Sequence, residues 1–333
     1  MDRSRFRPIV DRFAAQRIVV VGDLMLDEFV WGKVSRISPE APVPVVSVTS
    51  QSHYPGGAAN VARNVREFTA HIAVMGVAGT DSAGDHLLHL LQGSGIDITG
   101  VQRDASWTTT LKTRIIARNQ QVVRVDRERK ATLTEAQIDH LQAHLESITG
   151  EVDGAIVADY GKGLLTQPIA DSICHWAHRH GKILTVDPHP HTLLDWRGAT
   201  AVKPNRSETF IAAGVPFSDP VEPVVSDRAL LEAGKRLLDR WDCGSLLVTL
   251  GEQGMLLLQP RTAPYHVPTR AQAVFDVSGA GDTAIAVFTL ALSAGATPIE
   301  AAEIANYASG IVVGKLGTAT VTAAELEAGL GQV

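Results

Sequence analysis

The chain has 333 residues, 45% hydrophobic and 20% charged, a balance that fits a folded chain with a sizeable core and excludes a disordered tail protein. A net charge of −6, from 30 Lys and Arg against 36 Asp and Glu, argues against nucleic acid as the main partner. Cys174 and Cys243 are too few for a disulfide framework or a cysteine zinc site, and neither a signal peptide nor a membrane-length apolar run is found. The expected compartment is the cytoplasm, with no membrane partner.

From the N-terminus, Arg17 to Asp23 is a β-branched run ending in a glycine and a carboxylate, the pattern of a buried strand. Runs of the same kind recur at 72–77, 155–158, 183–187, 199–203 and 246–250. Between them lie helical patterns near 57–69, 83–92, 134–148, 166–180, 225–241, 280–294 and 298–313. Thr132 with Glu135 reads as a capping box for the third of these. The alternation predicts an α/β fold with a mostly parallel sheet covered by helices.

Two segments lack helical periodicity. One is 29–49, with Pro39, Pro42 and Pro44 between strand-like ends. The other is 108–126, a hairpin of Leu111 to Ala117 and Val122 to Val125 turning at Asn119-Gln120. They are expected to form a small lid sheet, the alternative being extra strands of the main sheet. Residues 112–130 hold seven cations (Lys112, Arg114, Arg118, Arg124, Arg127, Arg129, Lys130) against Asp126 and Glu128, which suits either an anionic substrate or a solvated strand face.

The strongest local signal is Asp276-Val277-Ser278-Gly279-Ala280-Gly281-Asp282-Thr283, leading into an apolar helix. Two glycines at a helix start let amides approach a phosphate or a developing negative charge. A carboxylate at Asp282 makes sense there as the base for an attacking hydroxyl during phosphoryl transfer, the alternative being a capped helix start. Gly279 to Ala284 also fits the dinucleotide fingerprint with Glu300 as its acid, but that motif belongs after a first strand, and no P-loop motif exists. A second cluster, Gly56-Gly57-Ala58-Ala59-Asn60, opens an earlier helix, where Asn60 suits sugar hydroxyls and the small residues suit tight packing equally. Asp23, Asp27, Asp159-Tyr160-Gly161-Lys162-Gly163, Asp187 and Asn205 follow predicted strands, where open α/β sheets bind ligands. His189 and His191 lack metal-ligand spacing and read as loop residues.

Taken together, Gly56 to Asn64 and Asp276 to Thr283 resemble the two signatures of the ribokinase-like (PfkB) carbohydrate kinases, over essentially the whole chain. Ser35 to Val46, Arg118 to Gln121 with Arg124 and Asp126, and Val313 to Thr318 resemble, more narrowly, the heptose-7-phosphate kinases of lipopolysaccharide precursor synthesis. The resemblance implies a ribokinase-like three-layer sandwich, a single kinase domain over 1–333 with a β lid, and the exposed edges of such a lid sheet lead to an expected homodimer through the lids. The resemblance also implies transfer from ATP to the anomeric hydroxyl of D-glycero-β-D-manno-heptose 7-phosphate. By the same resemblance Asp282 is the catalytic base and Gly279, Ala280 and Gly281 form the anion hole. Asn205, Arg206, Ser207 and Glu208 match the nucleotide and Mg2+ element, with Glu208 reaching the metal through water. Thr249, Gly251 and Gly254 match a nucleotide loop, while Asp276 and Ser278 match a monovalent-cation (K+) site of some relatives. Asp23, Asp27, Gly56, Gly57, Asn60 and Asp187 are the expected sugar-side residues, and charge adds Arg118, Arg124 and Lys162 for the distal phosphate. Two departures stand out. The sequence has no H-x-G-H motif, so phosphorylation without nucleotidyl transfer is expected. His189 follows Asp187-Pro188 where relatives often have lysine, which loosens the substrate assignment.

Overall fold

The computed structural model describes residues 3–118, 120–270, 277–315 and 318–330. The chain begins with α1 (Arg3–Val10), β1 (Ile18–Gly22), two long strands β2 (Leu24–Ile37) and β3 (Pro44–Gly57), and α2 (Ala58–Arg66). Then come β4 (Ile72–Gly79), α3 (Ser82–Gly93), β5 (Asp97–Asp104), the pair β6 (Thr110–Ala117) and β7 (Gln120–Arg127), and α4 (Glu135–Ser147). The middle holds β8 (Gly154–Ala158), α5 (Gln167–His180), β9 (Ile183–Asp187), β10 (Ala201–Val202), α6 (Arg206–Ala213) and α7 (Arg228–Trp241). The last part is β11 (Leu246–Thr249), β12 (Met255–Leu258), β13 (Tyr265–Val267), α8 (Ala280–Ser293), α9 (Pro298–Val312) and α10 (Ala323–Leu330).

The main sheet has nine strands in the order β13-β12-β11-β10-β9-β8-β1-β4-β5, parallel from β5 to β11 and antiparallel at the β12 and β13 edge. β1 is buried along its whole length because parallel neighbours flank it and helices cover both faces. Its alternate residues serve two separate cores. Ile18 and Val20 join the side built on α1, α2, α3, α8 and α9, whereas Val19 and Val21 face α4, α5 and α7. Burying each such side chain contributes about 1.5–3 kcal/mol. Helix α8 is buried continuously from Thr283 to Leu292, hence its all-round apolar sequence, whereas α7 buries one stripe, Leu230, Ala233, Gly234, Leu237, Leu238 and Trp241.

A second sheet of order β3-β2-β6-β7 grows directly out of β1. It is separate from the main sheet, and its two long strands run beyond 29–49, from Leu24 to Gly57. β2 pairs antiparallel with β3 and parallel with β6, while β7 is exposed throughout. Pro44 enters at the first residue of the edge strand β3, where a missing N–H is tolerated.

Three local details differ from the sequence reading. The cap of α4 is Thr134 with Gln137 rather than Thr132 with Glu135, because Leu133 is buried just ahead of the cap. The run 199–203 yields only a two-residue strand, since the Thr200 hydroxyl, in place of a backbone carbonyl, takes the Leu184 N–H at 3.0 Å. Helices α1, α6 and α10 and strands β5, β12 and β13 were not anticipated.

Strand order reverses at β1: the chain first moves outward through β4 and β5, then returns to place β8 on the other side. Such a switch point opens a crevice at the carboxyl ends of the strands. Asp23, Asp159 and Asn205 follow strands at that end, and Asp187 is the last residue of β9.

Candidate active site

The first turn of α8 is set by Gly279, whose φ of +82° favours glycine, so that Ala280, Gly281 and Asp282 follow on the helix. Asp282 is held from both sides. Its Oδ2 accepts from Asn60 Nδ2 at 2.6 Å and its Oδ1 from the Tyr160 hydroxyl at 2.6 Å. Burial raises the Asp282 pKa above the ordinary carboxylate value, opposed by these two hydrogen bonds and by Lys203. The neighbouring Thr283 donates to Asn64 Oδ1 at 2.7 Å, and Asn64 donates to the Asn60 carbonyl at 2.9 Å. The two glycine-rich signatures are thus tied to each other through α2 and α8.

Asn60 is 2% exposed, and because its amide nitrogen must face the carboxylate, its Oδ1 is the atom left without a partner. Asp27 sits alongside, with Oδ1 on Arg114 Nη1 at 2.6 Å. A Cβ at position 56 would stand 2.6 Å from Asp27 Oδ2 and 2.9 Å from Met25 Cγ, so a larger residue there would displace the Asp27 carboxylate. Asp23, an expected sugar contact, also holds backbone in place. Its carboxylate accepts the backbone N–H groups of Tyr160, Lys162 and Leu164 at 3.0–3.1 Å, pinning the loop after β8 across the switch point.

Asp187 is likewise engaged, with Oδ1 3.0 Å from Lys203 Nζ. Lys203 is 4% exposed; burial opposes its charge, but Asp187, Glu208 and Asp282 outweigh that and raise its pKa. Its ammonium lies 3.5 Å from where a Cβ on Gly281 would be, beside the helix start. Sequence reading passed over Lys203 as the end of a strand and Tyr160 as one member of a polar loop. A lysine placed after a buried strand, directly before Pro204-Asn205, was the available signal for the first.

On the far side of Gly281 a cavity of about 410 Å³ is lined by Thr249, Gly251, Gly254, Ala280, Asn306 and Ser309, among others. The α9 residues Asn306 and Ser309 were not anticipated. Asn205 and Glu208 form a reciprocal capping box on α6, Glu208 Oε2 accepting the Asn205 N–H at 2.7 Å. Ser207 is exposed in the same turn. Arg206 points elsewhere than to a nucleotide: it is buried over Phe210 and Phe217 and donates to Ser218 O, Asp219 O and Asp227 Oδ2. Ser278 is exposed just ahead of α8, and Asp276 lies outside the described residues. A second cavity, about 380 Å³, is lined by Arg17, His71, Asp97 and His144 at the amino ends of β1 and β4, opposite these carboxylates.

Of the basic residues, Lys162 pairs with Glu128 at 2.7 Å and Arg124 with Asp126 at 2.8 Å. Lys112 stands beside Asp27 in the strand register; burial and then the charge of Lys162 lower its pKa. Arg118 is not brought to this group. It lies at the hairpin end and donates to Val34 O at 3.1 Å, about 20 Å along the strand from Lys112. His189 packs on Gly161, and burial, followed by His191 and Lys162, lowers its pKa and favours the neutral ring.

The site comprises a carboxylate at a glycine-rich helix start, between a polar crevice and a cavity. The pfkB family carbohydrate kinase profile matches residues 15–324. The chain belongs to the pfkB family of carbohydrate kinases. It is 43% identical over 322 residues to the bifunctional protein HldE of Desulfatibacillum aliphaticivorans, covering 96% of this chain and 64% of that protein. HldE of Geobacter sulfurreducens is 41% identical over 335 residues, with 99% and 66% covered. The chain therefore spans just under two thirds of the length of these curated relatives. Among solved structures, the ribokinase of Arabidopsis thaliana complexed with ribose and ATP superposes with a TM-score of 0.72 at 17% identity, covering 96% of this chain and 99% of that one. Phosphofructokinase-2 of Escherichia coli in complex with potassium gives 0.74 at 19% identity, with 95% and 98% covered. The fold is ribokinase-like.

Proposed function

We propose that the chain transfers the γ-phosphoryl group of ATP to the anomeric hydroxyl of D-glycero-β-D-manno-heptose 7-phosphate, giving the 1,7-bisphosphate used for ADP-heptose and lipopolysaccharide core synthesis. The observation that carries the reaction type is the buried Asp282 carboxylate at the start of α8, between Asn60 on one side and the 410 Å³ cavity on the other. The acceptor's identity rests on the strings at 35–46 and 313–318 and on the relatives named HldE. The cavity beside Thr249, Gly251 and Gly254 is the proposed nucleotide seat. The Asn60 Oδ1, lacking a donor, and Asp27 are the proposed sugar contacts.

In this reading Asp282 takes the proton of the acceptor hydroxyl as its oxygen bonds to the γ-phosphorus. The bond from that phosphorus to the bridging oxygen breaks, and its electron pair leaves with ADP. The first-turn amides of Gly279 to Gly281 and the Lys203 ammonium face the charge that develops on the transferring group. Among the described residues no three His, Cys, Asp or Glu side chains converge on a metal site. A magnesium ion brought in with ATP would be reached by Glu208 through water. Bound there, it would neutralise phosphate charge.

The second sheet, β2, β3, β6 and β7, is the proposed lid over the sugar, excluding water that would hydrolyse ATP. Its edges and the exposed Trp31, Ile37, Val48 and Val125 support a homodimer formed through this sheet, read by sedimentation equilibrium; a monomer at micromolar concentration overturns it. Among the described residues no helix is long and apolar enough to cross a membrane, and a cytoplasmic location, where ATP is supplied, belongs to the same proposal.

Coupled ADP release with ATP and magnesium, comparing heptose 7-phosphate with ribose, fructose and fructose 6-phosphate, tests the function. Clear preference for the heptose phosphate is expected; preference for another sugar replaces the acceptor, and no turnover on any removes the reading. For the distal phosphate, Lys112 and Lys162 are the proposed contacts, with Arg124 on the neighbouring strand. Lys112→Ala and Lys162→Ala are each expected to raise KM for the sugar phosphate roughly 10- to 100-fold, the loss of one charge-assisted hydrogen bond. Arg118→Ala is expected to leave it unchanged, and the opposite pattern moves the phosphate toward the hairpin end.

A further inference from the structure

The loop after β8 reaches the site at two points. Asp23 fixes its backbone through three N–H groups, and the fixed segment presents both Lys162 and Tyr160. The Tyr160 ring packs against the core beneath α2 and α8, and its hydroxyl donates to Asp282 Oδ1 at 2.6 Å. Burial, then the charges of Asp282 and Asp187, push the phenol pKa well above its ordinary value. Tyr160 therefore stays protonated at any working pH and serves as a donor rather than as the proton acceptor. A carboxylate oxygen has room for more than one hydrogen bond, so Oδ1 and Oδ2 each keep capacity for an incoming hydroxyl.

We propose that Tyr160 is a positioning residue for phosphoryl transfer: its phenol, opposite the Asn60 amide, fixes the direction of the Asp282 carboxylate and stabilises its charge before the acceptor enters. The inference rests on Asp282 being the base. The groups facing Asp282 are Tyr160 from the loop after β8, Asn60 from α2, Lys203 after β10 and the carboxylates Asp27 and Asp187. Burial is the largest influence on Asp282 and raises its pKa; the Tyr160 hydrogen bond is the next and lowers it. Activity is lost as pH falls through that value, so removing the phenol moves the acid limb of kcat/KM to higher pH.

Tyr160→Phe keeps the ring and deletes only the donor. The expected result is a fall in kcat of about tenfold, a sugar KM changed less than about twofold, and an acid limb shifted up by about one pH unit. Placing 3-fluorotyrosine at 160, a stronger donor, is expected to shift the limb down. The same titration is read without turnover by NMR of 13C-labelled aspartate, with the Asp282 signal assigned by its loss in Asp282→Asn. An Asp282 titration that moves with neither variant overturns the inference and leaves Tyr160 a packing residue. If the wild type turns over no sugar, the proposed function falls, yet the NMR titration still decides what Tyr160 does to Asp282.

Discussion

Asp282→Asn is expected to lower kcat by roughly 10²–10⁴, the range for loss of a general base, while nucleotide affinity and fold are kept. The change is close to isosteric. The hydrogen bond from Tyr160 still finds the amide oxygen, and Asn60 needs only to turn its amide so that the now partnerless Oδ1 accepts from the new NH2 group. Stability should not fall with activity. Burial raises the Asp282 pKa, so folding favours the protonated form, and at neutral pH ionisation of Asp282 works against the folded state. That penalty is absent below the unfolded-state pKa and grows as pH rises toward the folded one. The variant is therefore expected to melt at or above the wild-type temperature at pH 7, with the difference shrinking in acid. Calorimetric ADP binding, thermal melts at two pH values and kcat decide it together. Turnover within tenfold of wild type would remove Asp282 from the base role.

The two glycine signatures were legible because they are local: a glycine with φ of +82° at a helix start and small residues on α2 leave their mark in consecutive residues. The seven anticipated helices were legible through their apolar period, and the buried strands as continuous β-branched runs. Elements that failed to announce themselves have identifiable reasons. β12 is a four-residue apolar run, Met255 to Leu258, without the β-branched residues that marked the equally short run 155–158 as a strand. β5 is interrupted by Gly100, kept small because a Cβ there would lie 2.6 Å from Met75. In α6, Asn205 and Glu208 read as a nucleotide element, and the same two residues build its capping box; nothing in the string says that Arg206 turns away to hold the loop around Ser218 and Asp227.

The site's missing members follow from the same distinction. Tyr160 meets a residue 122 positions away, and Lys203 meets Asp187 on the neighbouring strand; neither pairing has a spacing rule. Asp23 shows the converse. Its position after β1 pointed to the crevice end of the sheet, and what no spacing rule announces is that its oxygens also hold the loop that carries Tyr160 and Lys162. Placement after a strand identifies the crevice; which carboxylate faces the ligand depends on backbone amides that only the folded chain brings together.

Lys203→Met is expected to combine two losses that a double variant separates. The Lys203 and Asp187 side chains are 5% and 17% exposed, and burial already pushes the Asp187 pKa up to about 7, so removing the ammonium leaves a carboxyl that must take up a proton or stay uncompensated in a dry site. Breaking one side of such a pair costs about 3–5 kcal/mol of stability. Lys203 also sits beside Gly281, where the transferring phosphoryl group is proposed to develop charge, and the loss of one such group lowers kcat by roughly 10²–10³. Adding Asp187→Asn removes the stranded charge, and because buried ion pairs contribute little net stability over neutral replacements, most of the stability should return. Turnover should not, since the Lys203 ammonium beside Gly281 is missing from both variants. Denaturant unfolding and kcat measured on the same preparations give the answer. Recovery of both would show that Lys203 acts only as the partner of Asp187; recovery of stability alone would place its charge at the reaction itself.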